Sequence, residues 1–139
     1  MAYNVLIVDD SATMRALIRK VLVISGFNIG QFFEAGNGRE ALDILARQWV
    51  DIILSDLHMP EMDGLALMQA IRNNKLWRHL PVVLITTEAR SDIIDQIQPH
   101  LAQGYINKPF RPEVLKQKLI GILGENCGTT AVQLEGSDF

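Results

Sequence analysis

Short apolar runs alternate along the chain with longer segments that have helical spacing. Five runs of four to six residues are rich in β-branched and aromatic side chains, and they predict strands at 4–9, 32–35, 51–56, 81–86 and 104–108. In the segments between them, apolar residues recur every three or four positions, as they do in amphipathic helices. The pattern therefore predicts five consecutive strand–helix units.

The helical segments show both apolar faces and end signals. On the first helix, one face carries Met14, Leu17, Ile18, Val21 and Leu22, and on the second it carries Leu42, Leu45, Ala46 and Trp49. The end signals are Gly26 after the first helix, Gly38 and Gly64 before the second and third, Ser91 as cap of the fourth, Pro99 near its end, and Pro112 in the first turn of the fifth. Trp49 and Trp77 are predicted to be packing residues.

The first, third and fourth strands are almost continuously apolar, which is typical of strands covered by helices on both faces of a sheet. Strand–helix alternation then predicts an α/β fold with a doubly wound, five-stranded parallel sheet. The 139 residues suit one domain, predicted here as 1–124. Residues 125–139 are polar, contain glycine and lack periodicity. They are predicted to be a flexible C-terminal tail or the start of a linker.

Composition and charge narrow the function classes. The formal net charge is −3 without a long run of one sign, so there is no electrostatic case for binding nucleic acid or an anionic membrane. Cys127 is the single cysteine, which favours a reducing compartment. The sequence shows no secretory leader and no apolar stretch near the ~20 residues that span a bilayer. These features predict a cytoplasmic protein.

Polar side chains follow four of the predicted strands. Asp9 and Asp10 end the first strand, Asp56 the third, Thr86 the fourth and Lys108 the fifth. Ligands of open α/β sheets bind outside the carboxyl ends of the strands. We therefore expect three carboxylates, a hydroxyl and an ammonium to share one site.

This set of groups favours phosphoryl chemistry at a metal. Three close carboxylates repel one another unless a cation neutralises them, and Mg²⁺ commonly takes carboxylates, water and a phosphate oxygen. The histidines at 58, 79 and 100 are too far apart in sequence for a zinc motif. Lysine and threonine can bind phosphoryl oxygens, and an aspartate can be the nucleophile that forms an acyl phosphate. Asp56, alone at the end of the central strand, is the best candidate nucleophile.

Four motifs now carry a resemblance to a known family. They are "VLIVDDSATMR" at 5–15, "DIILSDLHMPEMDG" at 51–64, "VLITTEA" at 83–89 and "GYINKPF" at 104–110. Together they resemble the response-regulator receiver domains (CheY-like) of bacterial two-component signal transduction, over about 4–123. The resemblance implies a flavodoxin-like (βα)₅ fold with strand order 2-1-3-4-5, an order that is also known for the family in general.

The resemblance also implies roles for the matching residues. Asp56 would be the phosphoacceptor, and Mg²⁺ would be held by the acidic pair Asp9 and Asp10 together with Asp56 and the backbone carbonyl of His58. Thr86 would be the switch hydroxyl, Tyr105 the switch aromatic, and Lys108, usually joined to Pro109 by a cis peptide, the cation beside the phosphoryl group. The donor would be a histidine kinase or phosphotransfer protein. The output would be contact with an unknown downstream protein through the fourth helix, fifth strand and fifth helix. Such a protein is not a classical enzyme but assists its own phosphotransfer and autodephosphorylation, as a monomer or weak dimer. Chemotaxis is one possible pathway.

Two places depart from the family pattern. At position 58, two residues after Asp56, histidine is not the commonest residue of the family. Either it is a partly exposed loop residue whose backbone does the work, or its imidazole and Glu88 tune the water that hydrolyses the phosphoryl group. Pro99 and Leu101 stand where the family commonly has a longer helix and a small residue, so the shape of the output face is expected to differ.

Three other readings remain open at this point. A phosphatase of the haloacid dehalogenase type also uses an aspartyl nucleophile and Mg²⁺. That family has a D-x-D motif at the end of the first strand, where this chain has Asp9-Asp10 instead. A flavodoxin-like FMN carrier would need a Ser/Thr-rich phosphate loop in place of "DDSATM". The chain could also be the receiver module of a larger regulator.

Overall fold

The computed structural model describes residues 2–88, 90–97 and 101–124. Five strands alternate with five helices in this part of the chain. The strands are β1 (Tyr3–Val8), β2 (Ile29–Ala35), β3 (Ile52–Ser55), β4 (Val82–Thr86) and β5 (Gly104–Asn107). The helices are α1 (Ala12–Ile24), α2 (Gly38–Leu45), α3 (Gly64–Arg72), α4 (Ser91–Ile97) and α5 (Pro112–Leu123).

All strand pairs are parallel and the sheet has the order β2-β1-β3-β4-β5. The predicted α/β class, sheet type and strand order are therefore confirmed. In the register, Val8 of β1 lies opposite Ala35 on one side and Ser55 on the other. Because β1 and β3 are neighbours with matched ends, the residues that follow them emerge side by side.

Two hydrophobic cores, one on each face of the sheet, explain the apolar strands. Successive residues of β1 alternate between them: Val5 and Ile7 pack against α1 and α5, whereas Leu6 and Val8 pack against α2, α3 and α4. β3 and β4 are buried along their whole length because helices cover both of their faces.

Three helices begin at capping side chains that sit close to the carboxyl edge of the sheet. The oxygens of Ser11, Asn37 and Asp63 accept hydrogen bonds from backbone N–H groups in the first turns of α1, α2 and α3. Pro112 occupies the first turn of α5, as predicted. These caps fix where each loop ends, and the loops carry the polar side chains described below.

Some predicted boundaries were wrong. Ser91 is the first residue of α4 rather than its cap, and the backbone carbonyl of Arg90 accepts the first helical bonds. Trp49 does not extend the face of α2, since the helix ends at Leu45. The prediction that Trp49 is a packing residue was also wrong, because the residue is 74% exposed, whereas Trp77 does pack against the core. The predictions at Pro99 and in the tail 125–139 lie outside the described residues. None of the helices in the described ranges has the length and apolar character that a bilayer crossing requires.

Candidate functional site

The site lies where β1 and β3 end, at the carboxyl edge of the sheet. Asp9 follows β1 and its N–H donates to the carbonyl of Ala35. Asp56 follows β3, and its N–H donates 2.9 Å to the carbonyl of Val8. Asp10 is the next residue along the chain, and each of the three aspartates offers an oxygen within 4.8 Å of the others. The predicted carboxylate cluster is therefore present.

Lys108 reaches this cluster from the end of β5. Its N–H donates to the carbonyl of Thr86, so the backbone of Lys108 is fixed beside the end of β4. The ammonium Nζ lies 2.8 Å from Asp9 Oδ2 and 3.3 Å from Asp56 Oδ2. The peptide bond from Lys108 to Pro109 is cis, as the resemblance implied.

Electrostatics explain why the Lys108 side chain stays charged although it is only 11% exposed. Burial alone would lower its pKa, but the hydrogen bond to Asp9 and the negative charges of Asp56 and Asp9 outweigh burial and raise the pKa. The ammonium therefore neutralises one carboxylate charge at any physiological pH.

One ammonium against three carboxylates leaves two negative charges uncompensated. Asp9 is buried, Asp56 is largely buried and Asp10 is exposed, so the cluster opens to solvent on the Asp10 side. Hard oxygen ligands, uncompensated charge and an open side fit a divalent cation that retains some water. Asp9, Asp10 and Asp56 could therefore hold such an ion.

Two internal bonds orient the buried aspartates. Asp9 Oδ1 accepts the N–H of Ser11 at 2.9 Å, and Oδ2 takes Lys108. Asp56 Oδ1 accepts the N–H of Leu57 at 2.7 Å, which leaves Oδ2 toward Lys108. Asp56 therefore presents one oxygen beside a cation, which can stabilise negative charge on a group transferred to that oxygen.

Thr86 and Tyr105 share one hydrogen-bond partner, Glu88. Thr86 is fully buried at the end of β4, and its Oγ1 accepts the N–H of Glu88 at 3.2 Å. The hydroxyl of Tyr105 donates 2.5 Å to the backbone carbonyl of Glu88. Within the described ranges, the side-chain hydrogen bonds of both residues go to Glu88 and not to the aspartates.

His58 is joined to Glu88 as well. Its Nε2 lies 3.0 Å from Glu88 Oε1, which links the loop after β3 to the loop after β4. The His58 side chain is 64% exposed, whereas that of Glu88 is 13% exposed. The hydrogen bond from His58, followed by that from the Arg90 backbone, lowers the pKa of Glu88 against its partial burial, so this carboxyl is ionised. The role of the His58 backbone carbonyl stays a prediction.

Sequence reasoning missed Arg15. It lies off the apolar face of the first helix, where an exposed position is expected, but its side chain is only 19% exposed. Its guanidinium donates 2.5 Å to the backbone carbonyl of Asp9 and 2.9 Å to Glu34 Oε1. Arg15 therefore holds the main chain of the acidic loop against β2. Its position one turn after the Ser11 cap was the signal, because side chains on a helix lean toward its N-terminus and a long arginine there reaches back to the preceding loop.

Comparison with known proteins agrees with this geometry. The family model described as "Response regulator receiver domain" matches residues 5–120. A chemotaxis protein CheY homolog from Campylobacter jejuni is 37% identical over 132 residues, covering 94% of this chain and 99% of the relative. Chemotaxis protein CheY-3 from Vibrio cholerae is 41% identical over 116 residues, covering 84% of this chain and 88% of the relative.

Solved structures show the same architecture. The chemotaxis response regulator CheY4 of Vibrio cholerae superposes with a TM-score of 0.78 at 30% identity, covering 88% of this chain and 99% of that one. A putative response regulator from Chloroflexus aurantiacus gives a TM-score of 0.80 at 28% identity, covering 88% and 98%. The five-stranded architecture and its strand order are thus shared with solved structures.

Proposed function

Because the chain belongs to the response-regulator receiver family, we propose that Asp56 is its phosphoacceptor and that phosphorylation there switches its protein contacts. The observation that carries this proposal is the position of Asp56 Oδ2, 3.3 Å from the Lys108 ammonium within a cluster of three carboxylates. Family membership makes the chain a signalling switch rather than a classical enzyme. It does not favour the haloacid dehalogenase or flavodoxin alternatives.

The phosphotransfer step uses groups that the site already presents. An oxygen of Asp56 attacks the phosphorus of a phosphohistidine on a histidine kinase or phosphotransfer protein. The P–O bond to Asp56 forms as the P–N bond breaks, and the donor imidazole takes up a proton. Lys108 stabilises the negative charge on the phosphoryl oxygens during transfer.

Mg²⁺ is the proposed cation, with Asp9, Asp10, Asp56 and the backbone carbonyl of His58 as its protein ligands. When bound, it neutralises phosphoryl charge as a Lewis acid. The two uncompensated carboxylate charges support this assignment. Arg15 contributes by holding the Asp9 carbonyl, so that the acidic loop keeps its shape.

The switch would act through Glu88. A phosphoryl group on Asp56 offers strong acceptor oxygens to the Thr86 hydroxyl, which now accepts from the Glu88 N–H. Movement of Thr86 toward them would break that bond and displace the Glu88 carbonyl that anchors the Tyr105 hydroxyl. The face formed by α4, β5 and α5 would then change shape and alter binding of the downstream target.

The phosphoacceptor is tested by incubation with acetyl phosphate and Mg²⁺, followed by intact-protein mass spectrometry. We expect one added phosphoryl group on the wild type and on Asp43→Asn, which changes an exposed aspartate of α2. We expect none on Asp56→Asn. Undiminished labelling of Asp56→Asn, or phosphomonoester turnover, would contradict the assignment.

The switch is tested by amide hydrogen exchange with and without acetyl phosphate. Phosphorylation of the wild type should change exchange in the peptide that covers β5 (Gly104–Asn107). Thr86→Val should still accept the phosphoryl group, but it should show no such change, because it has no hydroxyl to move. A wild-type response in Thr86→Val would contradict the proposed route.

His58 and Glu88 are proposed to set the lifetime of the phosphorylated form. Their 3.0 Å pair places a carboxylate and an imidazole together beside the site, where they can orient or exclude the hydrolytic water. His58→Ala and Glu88→Gln should therefore change the lifetime in the same direction, measured by loss of the phosphoryl mass after acetyl phosphate is removed. Unchanged lifetimes in both variants would leave His58 with its backbone role alone.

A further inference from the structure

An apolar groove lies at the amino edge of the sheet, opposite the phosphorylation site. It is formed by the loop before β3 and the loop before β4, and it is lined by Trp49, Leu76, Trp77, His79 and Leu80 among others. Trp49 is 74% exposed and Leu76 is 75% exposed, the highest values among the exposed large hydrophobic residues that the structure describes. Two such residues beside one groove mark a contact surface better than scattered single residues do.

The Trp49 wall of the groove is held in place by hydrogen bonds. Trp49 Nε1–H donates 3.0 Å to Asp51 Oδ1, which fixes the indole ring although most of it faces solvent. Asp51 Oδ2 accepts the N–H of Asn4 at 2.8 Å, and Asn4 Nδ2 donates to the carbonyl of Trp49 at 2.9 Å. Two bonds to β1 thus keep the ring outside the core, so little side-chain entropy remains to be lost on binding.

The opposite wall is fixed as well. Leu76 N–H donates 2.8 Å to Asn74 Oδ1, which closes the turn that presents the Leu76 side chain. From inside, the Arg72 guanidinium donates to the carbonyls of Arg78 and Leu80 at 3.0 and 2.8 Å. Hydrogen bonds therefore hold both walls of the groove in this structure.

The size of the groove limits what it can hold. Its volume is about 240 Å³, whereas sites for whole small molecules measure roughly 300–1,000 Å³. A cavity of about 150 Å³ is enough for benzene. The groove therefore suits one aromatic or branched aliphatic side chain that projects from a larger partner.

The charge around the groove indicates the rest of the partner. Arg47, Lys75 and Arg78 each adjoin a lining residue in the sequence, and all three are exposed. Among the described residues, no ion pair involves any of them. These two loops, 46–51 and 73–81, contain one carboxylate, Asp51, against the three cations, so their formal net charge is +2. A basic rim on a chain of net charge −3 attracts an acidic segment.

We propose that this groove binds an acidic segment of a partner protein that inserts one aromatic or branched aliphatic anchor between Trp49 and Leu76. A second copy of this chain fits less well, because it would bring an identical basic rim against the first. The groove lies at the far edge of the sheet from Asp56. It therefore gives the protein a constitutive docking point, separate from the surface that phosphorylation changes.

The test selects ligands without assuming a sequence. A random dodecapeptide phage library is panned on the full chain, and selected peptides are then measured by fluorescence polarisation. We expect the selected peptides to contain several acids around one aromatic or aliphatic residue. Trp49→Ser and Leu76→Ser should weaken their binding about tenfold or more, as expected for central anchors. Arg78→Glu should weaken it several-fold and reduce its dependence on salt.

Matched controls come from α1. Ile24 is 69% exposed, so Ile24→Ser removes a comparable apolar side chain, and Lys20→Glu reverses an exposed charge on the same helix. Both should bind the selected peptides as the wild type does. Circular dichroism establishes that each variant is folded.

Several results would overturn the proposal. Neutral or basic selected peptides would remove the charge argument, and equal losses in Ile24→Ser and Trp49→Ser would place binding elsewhere. The double variant Glu135→Lys and Asp138→Lys reverses two acidic charges of the C-terminal tail. If the full chain with these changes bound the selected peptides more tightly, the tail itself would be the occupant that competes with them. A dimer in sedimentation that Trp49→Ser dissociates would make a second copy the occupant.

Discussion

Gly64, the first residue of α3, offers the sharpest test of how tertiary packing overrides local preference. A Cβ atom at Gly64 would stand 2.2 Å from the backbone oxygen of Asp56 and 2.9 Å from the Cα of Leu57. Both atoms belong to the main chain, so neither can swing away as a flexible side chain would. The Gly64 N–H also donates 2.8 Å to the carbonyl of Leu57, which holds the helix start against the end of β3.

Two opposing effects set the magnitude for Gly64→Ala. Helix propensity favours alanine over glycine by up to about 1 kcal/mol, and by less in a first turn. Overpacking of a rigid site costs about 1–3 kcal/mol, and contact with backbone belongs at the upper end. We therefore expect Gly64→Ala to lower the free energy of unfolding by about 2 kcal/mol. The displaced Asp56 backbone should also slow phosphorylation by acetyl phosphate.

Urea unfolding followed by circular dichroism measures the change, and Gly121→Ala is the matched control. Gly121 lies inside α5, and a Cβ there would have no neighbour within 4 Å. Gly121→Ala should therefore raise stability by about 0.5–1 kcal/mol, as propensity alone predicts. A Gly64→Ala protein as stable as Gly121→Ala would refute the packing argument.

Three further predictions concern single interactions. Burial alone would raise the pKa of Glu34, but hydrogen bonds and charges from two arginines of α1 outweigh it and lower that pKa. The stabilising effect of Glu34 should therefore be present above about pH 4.5 and lost as pH falls through the folded-state pKa. Glu34→Gln should remove this pH dependence in urea titrations and lower the free energy of unfolding by less than about 1 kcal/mol. Asp63→Ala removes the side chain that accepts the Ala66 N–H, which should cost about 1 kcal/mol in thermal unfolding, while Asp63→Asn should be close to neutral. Arg72→Met leaves the carbonyl of Leu80 without its donor and should lower the free energy of unfolding in urea by about 2 kcal/mol. Arg72→Lys should restore little of this loss, because lysine lacks the planar guanidinium with its several donors. Wild-type stability of Arg72→Met would show that water replaces the guanidinium.

Much of the site was predictable because parallel strands bring their carboxyl ends to one edge. Asp9, Asp56 and Lys108 are up to 99 positions apart in the chain, yet their places after apolar runs were enough to predict that they meet. The strand order itself came from the resemblance to a family, because the hydrophobic pattern does not show which parallel strands lie next to each other in the sheet. That His58 and Glu88 act together was one of two hypotheses for the departure from the family pattern, but their direct 3.0 Å contact was not predicted, because loop side chains have no periodicity from which to infer direction.

The sequence by itself determined the elements and the chemistry: five apolar runs, five amphipathic helices, and acids, threonine and lysine placed after the strands. These follow from local rules, because buried apolar residues recur about every two positions in a strand and every three or four positions in a helix. Tertiary structure alone decided which carboxylate Lys108 contacts at 2.8 Å, that Arg15 turns inward to the Asp9 carbonyl, and that Trp49 is held outside the core by Asp51. Those outcomes depend on distances between segments remote in sequence, where a shift of about one ångström exchanges one hydrogen-bond partner for another.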